Sequence, residues 1–539
     1  MDNKIKIRFT EEYGEYLRDE SRQVGFADSI SFVKSEEEII SVLKENYANK
    51  IPTTIQGART GLAASSVPFG GHVINLSRMN KVNGIRYDEV NDKFYIKLQP
   101  GVLLVEIRKY LANKSFITDG WNDSSKNALY HMKKGEWFYS TDPTEISATI
   151  GGMVACNASG AKSFRYGSTR DHIQSIRAVL SDGDVISLRR GEVISDGRLF
   201  SVTTEGGRII SGRLPKYEMP NVKKNTSGYF NKLNMDIIDL FIGSDGTLGV
   251  ISEIEIELNK KQKSNWGITI FMPDEDKALD LVRALRGEKI FCDRNAINLN
   301  PSAIEFFSHN ALDMLREQQR VNPAFATIQE IKENYHTAIY IEIEDDSDDK
   351  IWAGVEELGE IIVKLGGDED ATWVANNPTN LEKLHSFRHA CPECVNMQID
   401  LIRKSDSRIT KLGTDMSVPD NKLKDVMKMY NDGILENNLN AVIFGHIGNN
   451  HLHVNTIPRD MDEYNRGKEL YSSWAEKIVS MGGAVSAEHG VGKLKVPFLQ
   501  KMFTKDKIDD MRKLKKLFDP DQLFNRATIF PYVESKGVK

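Results

Sequence analysis

Apolar residues recur along this chain with two different periods, and the switches between them mark its elements. Ile39, Val42 and Leu43 share one face of a 3.6-residue period that begins behind Ser35. Glu38 stands three residues after that serine, so the spacing predicts a helix capped at Ser35. Short runs of β-branched, aromatic and other apolar residues follow at 51–55, 72–76 and 94–98, the last stopped by Gln99-Pro100-Gly101. The run 176–180 closes on Ser181-Asp182-Gly183-Asp184, a hairpin signal. Residues 252–258 alternate apolar and polar positions, as a half-buried strand does. Past the polar stretch 259–263 the elements lengthen and glycine thins out, with strands at 266–272 and 338–343 and helices at 275–285 and 352–365. That texture predicts an α+β sheet with helices on one face. The acidic run 344–349 reads as a solvated loop.

Composition narrows the class. With 539 residues, 40% hydrophobic and 27% charged, the chain can bury a sizeable core in two large units or about three to four smaller ones. Lys+Arg of 71 against Asp+Glu of 77 gives a net charge of −6, which removes nucleic acid as an expected electrostatic partner. Four cysteines argue against a disulfide framework. The charged first twenty residues hold no apolar signal segment, and no apolar run reaches the roughly 18–20 residues that span a bilayer. The expectation is a cytoplasmic protein with no transmembrane segment, peripheral contact with a membrane remaining open. Cys391-Pro392-Glu393-Cys394 has no second cysteine pair and reads as incidental, on a helix.

Three glycine clusters, at 56–62, 148–160 and 241–251, each adjoin a predicted strand. Glycine lets a backbone come close to a phosphate, so the three together point to an extended phosphate-bearing ligand. None spells G-x-G-x-x-G, and Gly492-Lys493 fails as a P-loop at Ala487 and Leu494. Four of the 11 histidines, with Glu488, fall between positions 446 and 489. An apolar strand ends in His446, a Gly/Asn turn covers 447–450, and a returning strand puts His451, His453 and Asn455 on one face. The hairpin brings His446 and His453 to one end of a sheet, and Glu488 lies beside His489 in a glycine-flanked loop. Two imidazoles and a carboxylate with an open position suit Zn²⁺ or a similar divalent ion.

In these motifs the chain resembles the FAD-linked oxidases of the vanillyl-alcohol-oxidase/PCMH fold. Within them it is most similar to the D-2-hydroxyacid dehydrogenases: D-lactate dehydrogenase, the glycolate oxidase flavin subunit and D-2-hydroxyglutarate dehydrogenase. The family's pyrophosphate loop matches Gly57 to Leu62, its T-I-G-G stretch matches Thr149 to Gly160, and its G-S-E-G-T-L-G-I-I matches Gly243 to Ile251. Its two histidine motifs match His446 to His453 and Ala487 to Gly492, and the closing helix at 511–520 looks like the family's C-terminal return. Departures are Arg59 for Asn, Asp245 for Glu, His451 for Asn, Ala487 for Gly, and Asn525-Arg526-Ala527-Thr528 for the usual terminal motif.

The resemblance implies an α+β architecture: a PCMH-type FAD-binding domain of two α/β subdomains at 1–261, a ferredoxin-like cap domain with the metal site at 262–505, and a segment at 506–539 packing back on the first domain. It implies non-covalent FAD, with Gln56, Gly57, Ala58, Arg59, Thr60, Gly61 and Leu62 at the pyrophosphate. Pro143, Thr149, Gly151, Gly152, Asn157, Gly160, Val250, Ile251 and Asn525 would lie along the rest of the cofactor. His446, His453 and Glu488 would hold a divalent metal, zinc foremost, with His451 a fourth ligand or a donor behind the ligands. His489 would be the general base, and Arg388 and Lys411 would meet the substrate carboxylate. The implied reaction is oxidation of a D-2-hydroxy acid of the lactate, glycolate or 2-hydroxyglutarate class to the 2-oxo acid, by hydride transfer to flavin N5. An alkylglycerone-phosphate-synthase-like transferase and the flavin subunit of an electron-transfer complex are the alternatives. Implied partners are the hydroxy acid and an electron acceptor such as a protein or a quinone; a homodimer is compatible with them.

Overall fold

The computed structural model describes residues 5–289, 297 and 299–532. Ser35 caps the helix Glu36–Ala48 and accepts the Glu38 N–H at 3.3 Å, so Ile39, Val42 and Leu43 turn inward. They pack on a small sheet in which Ser29–Phe32, His72–Asn75 and Thr53–Gln56 run parallel, with Ile7–Arg8 antiparallel at one edge. A second sheet is wholly antiparallel, in the order Val82–Asp88, Lys93–Leu98, Val250–Glu257, Ile173–Val179, Val185–Arg189. Its central strand explains the alternation seen in the sequence. Ile254 and Ile256 enter the core, while Glu255 on the other face takes Arg86 at 3.2 Å and Arg189 at 2.8 Å.

The C-terminal half is built on an eight-stranded sheet that includes Ser264–Met272, Thr337–Asp345, Pro301–Phe307, Ala441–Gly445 and His451–Thr456. Helices cover both of its faces, a correction to the single face expected. Ile268, Ile270, Ile339 and Ile341 pack under Glu275–Leu285 and Asp348–Lys364. Phe271, Phe307, Ala338 and Tyr340 pack under His309–Val321 and Pro378–Ser405. The reason is legible in Thr337–Asp345, whose first eight residues are all buried; a strand sandwiched between two helical layers loses its polar alternation. The acidic run 344–349 also needs correcting. Glu344, the last buried residue of the strand, receives Lys162 Nζ and the Tyr166 hydroxyl, each at 2.5 Å, and Ser347 caps the next helix. Cys391 and Cys394 are buried and unbonded on the long helix.

The chain then returns. The helix Lys505–Phe518 places Ile508, Met511, Leu514 and Phe518 in the core of the five-stranded sheet. Leu523 and Asn525 pair with Thr53, through a 2.8 Å and a 2.9 Å backbone hydrogen bond. Lys515, buried, donates to Thr247 O at 2.7 Å, Asp519 Oδ2 at 2.8 Å and Phe524 O at 3.1 Å. Among the described residues no helix is long and apolar enough to cross a membrane. Removing the Lys515 ammonium strands a buried carboxylate and two carbonyls. Lys515→Met is therefore expected to destabilise the fold by about 3–5 kcal/mol in urea denaturation. A midpoint within error of the parent would contradict this role for the lysine.

Candidate active site

The glycine clusters meet where the two N-terminal sheets adjoin. A Cβ on Gly57 would lie 2.2 Å from Thr149 Oγ1, so the first loop sits directly against the second cluster. Thr149 caps the helix Ile150–Cys156 by accepting the Gly152 N–H, and Asn157 ends it at φ +52°, taking the Arg170 N–H on Oδ1. Gly151 packs on Pro100, and Gly160 on Asp142. Asp245, from the third cluster, accepts the N–H groups of Val491 and Gly492 at 3.1 and 2.9 Å. Asn525 spans the seam, donating to Asp245 O and accepting the Ile55 N–H. Gln56 is buried and anchored on Tyr16 O and Ser66 O, whereas Gly57 to Leu62 is only partly covered. The backbone N–H groups of Ala58, Arg59, Thr60, Gly61 and Leu62 have no protein acceptor among the described residues. A run of unengaged amides next to a buried strand fits a diphosphate. Arg59 adopts φ +63° and lies 4.1 Å over the Tyr16 ring, with Glu15 at 3.3 Å.

The second constellation gathers as the hairpin requires. His446 follows the strand Ala441–Gly445, a short 3₁₀ turn spans Ile447–Asn449, and Asn450 at φ +51° starts the return. One ring or carboxylate atom from each of His446, His451, His453 and Glu488 lies within 4.8 Å of the others. Each imidazole is turned by an oxygen behind it. Glu305 meets His446 Nδ1 at 2.7 Å, the Thr414 carbonyl meets His453 Nδ1 at 3.0 Å, and Asp415 lies 2.9 Å from His451 Nε2. The opposite nitrogens face Glu488, at 3.4 Å from His446, 3.5 Å from His453 and 3.7 Å from His451. Both ring nitrogens of His451 are buried without a well-aligned hydrogen bond. An unpaired, desolvated nitrogen among two more imidazoles and an acid fits a divalent cation, and outer oxygens of this kind fix ligand orientation.

Charge balance here is set by groups that also lie outside the cluster. Burial works against the Glu488 charge, but Lys224 at 2.8 Å, with His446 and His451, holds it well below the usual carboxylate range. Ser159 Oγ donates to the same oxygen at 2.8 Å. Burial also opposes the His446 charge, and Glu305 reverses this, raising it to about 9. Desolvation pushes His451 down to about 3. His489 is stacked on His453 at 5.6 Å, with Nδ1 3.5 Å from Asp415 and Nε2 3.6 Å from Glu488. Desolvation drives it to about 4, which leaves a neutral ring able to take a proton.

Arg388 projects from the long helix into a cavity of about 400 Å³ that Asp142, Pro143, Lys162 and Glu342 also line. Its nearest acids are Glu342 at 3.7 Å and Asp142 at 3.9 Å, and its guanidinium makes no hydrogen bond among the described residues. Glu305 and Arg388 act on each other's charge, which joins cavity and cluster. Lys411 goes elsewhere. Its ammonium bonds Asn396 Oδ1 at 3.3 Å, and none of its described partners belongs to the cluster or the cavity. Val250 and Ile251 are buried at the start of the central strand of the five-stranded sheet.

Two family models match this chain: "FAD linked oxidases, C-terminal domain" over residues 268–529, and "FAD binding domain" over 27–125 and 125–189. Together they cover most of its length. The chain belongs to the FAD-linked oxidases. It is an FAD-linked oxidoreductase. A D-lactate dehydrogenase of Anaerostipes hadrus is 27% identical over 92% of this chain and 88% of its own. Glycolate oxidase subunit GlcD of Bacillus subtilis is 25% identical over 93% and 89%. The D-2-hydroxyglutarate dehydrogenase of Stutzerimonas stutzeri is 25% identical over 93% and 90%. In fold, p-cresol methylhydroxylase with substrate bound matches at a TM-score of 0.64 and 13% identity, over 99% of this chain and 95% of that one. Alkyldihydroxyacetonephosphate synthase matches at 0.59 and 16%, over 97% and 82%. The PCMH-type α+β expectation holds.

Sequence reasoning about this oxidase missed Glu305, Asp415, Lys224 and Ser159. Two of them carry a signal: Glu305 is the only charge in Ala303-Ile304-Glu305-Phe306-Phe307, and Asp415 precedes Met416 and Val418. A charge inside an apolar strand must find a partner when buried. Lys224 lies in a polar segment that looks like any loop, and Ser159 falls inside the second glycine cluster, where its hydroxyl has no distinguishing neighbour. A cation on this donor set predicts about one ion per chain by plasma mass spectrometry, falling toward zero in His453→Ala and Glu488→Gln. Unchanged metal content in both variants would remove these residues as ligands.

Proposed function

We propose that this chain oxidises a D-2-hydroxy acid to the 2-oxo acid with non-covalent FAD and a divalent cation, zinc foremost. The observation that carries this reading is the convergence of three imidazole nitrogens on Glu488, with His489 and Arg388 beside them. Relatives named for D-lactate, glycolate and D-2-hydroxyglutarate oxidation, each aligned over most of this chain, support it.

When bound, the cation polarises the substrate hydroxyl and FAD accepts the hydride. His446, His453, His451 and Glu488 would hold the cation, and the amides of Ala58 to Leu62 the diphosphate. Arg388 presents a planar donor fork that suits the substrate carboxylate, and its loose pairing with Glu342 and Asp142 leaves that fork available. His489 takes the hydroxyl proton at Nε2, the nitrogen that Asp415 does not face. Asp415 then stabilises the charged ring from behind. Lys224 and Ser159 engage Oε2 of Glu488 and leave Oε1 to the imidazoles of His446 and His453.

Anaerobic mixing with a panel of D- and L-2-hydroxy acids is expected to bleach the flavin with D-isomers only. A panel without any bleaching would overturn the oxidase reading. His489→Ala should slow that bleaching by about 100- to 10,000-fold while keeping bound FAD, and fast reduction would remove it as the base. Trichloroacetic acid should release the yellow colour into the supernatant; colour retained in the pellet would contradict non-covalent attachment.

A further inference from the structure

The cavity beside Arg388 holds a second arginine that the proposed mechanism does not use. Arg108 comes from the helix Leu104–Asn113 of the N-terminal half, whereas Arg388 comes from the other half of the chain. Every other buried charge here is answered. Glu342 takes Lys162 at 3.1 Å, His385 at 3.3 Å and Arg388 at 3.7 Å. Asp142 accepts the Lys162 N–H on Oδ1 at 3.0 Å and lies 3.9 Å from Arg388 through Oδ2. Arg388 is compensated by Glu305, Asp142 and Glu342, so its charge is held more firmly than in water.

Arg108 makes no ion pair of that kind among the described residues. Its guanidinium donates to the Thr141 carbonyl at 3.3 Å, and no carboxylate lies within ion-pair distance of it among the described residues. Burial pulls its pKa down and Arg388 adds to this, against a partial pull upward from the Asp142 charge. Two arginines lining one cavity raise the potential inside it, which an entering anion relieves. The space is also large. A volume of about 400 Å³ falls in the range of roughly 300–1,000 Å³ that holds drug-sized ligands, well beyond a three-carbon acid.

We infer that Arg108 and Arg388 form the two ends of an anion-binding cavity and that the substrate is a 2-hydroxy dicarboxylate, its second carboxylate received by Arg108. This rests on the oxidase reading for the hydroxyl end, and it adds a specificity determinant from the N-terminal half. A monocarboxylate would leave Arg108 without an ion pair and forgo one charge-assisted contact.

The test measures binding and turnover separately on the FAD-loaded protein. Isothermal titration with 2-oxoglutarate and with pyruvate reads the cavity, and anaerobic flavin bleaching by D-2-hydroxyglutarate and by D-lactate reads the reaction. Tighter binding of 2-oxoglutarate is expected, by about tenfold or more. Arg108→Gln should reduce that ratio by at least about tenfold, and Arg108→Lys, which keeps the charge, should retain part of it. Equal affinities in the parent, or a ratio unmoved by Arg108→Gln in protein that melts like the parent, would overturn the proposal. A ratio that falls as expected while no hydroxy acid bleaches the flavin would support the anion subsite and overturn the oxidase reading alone.

Discussion

Asp415, fully enclosed, accepts the N–H groups of Glu488 and His489, each at 3.1 Å, and the Ser486 hydroxyl at 3.0 Å. The Lys495 ammonium neutralises it, and His451 closes on its other oxygen. An isolated buried carboxylate costs several kcal/mol, so this residue tolerates its position only while all those donors are in place. The geometry of the catalytic end follows from that requirement. The loop carrying Glu488 and His489 is drawn onto the short strands before the histidine hairpin, and one imidazole is oriented in the same act.

The same loop is stitched to the N-terminal half. Thr226 and Ser227 bond the Ser486 carbonyl, Ser417 donates to Lys224 O at 2.6 Å, and Lys224 reaches Glu488. Glu488 is thus shared between the side of the molecule that contains the histidines and the side that contains the glycine clusters. Asp245 makes a parallel tie, since its carboxylate holds Val491 and Gly492 while its carbonyl receives Asn525. A Cβ on Gly492 would lie 1.9 Å from Ala63 O, so this crossing can be made only by glycine. The departures Asp245 and Ala487 therefore sit at seams of the fold.

Arg59, another of the departures, stands in a backbone conformation open to asparagine. Its left-handed φ is the conformation that asparagine tolerates best, and its side chain turns onto Tyr16 and Glu15. Lys411 is expected at the substrate carboxylate, but its ammonium instead bonds Asn396 on the long helix.

The linear order of residues by itself determined the capped helix at 36–48, the strand alternation at 250–257, the three glycine clusters and the histidine hairpin. Each rests on contacts between residues near one another in the chain, where backbone preference and side-chain period suffice. Only the tertiary structure decided the two-sided burial of the larger sheet, the pairing of Glu344 with Lys162, and the placing of Glu305, Asp415 and Lys224 around the imidazoles. Those choices satisfy buried charges with partners up to 264 positions away, as between Lys224 and Glu488. No local rule selects such a partner, because what fixes it is the electrostatic cost of leaving a charge unpaired in the assembled interior.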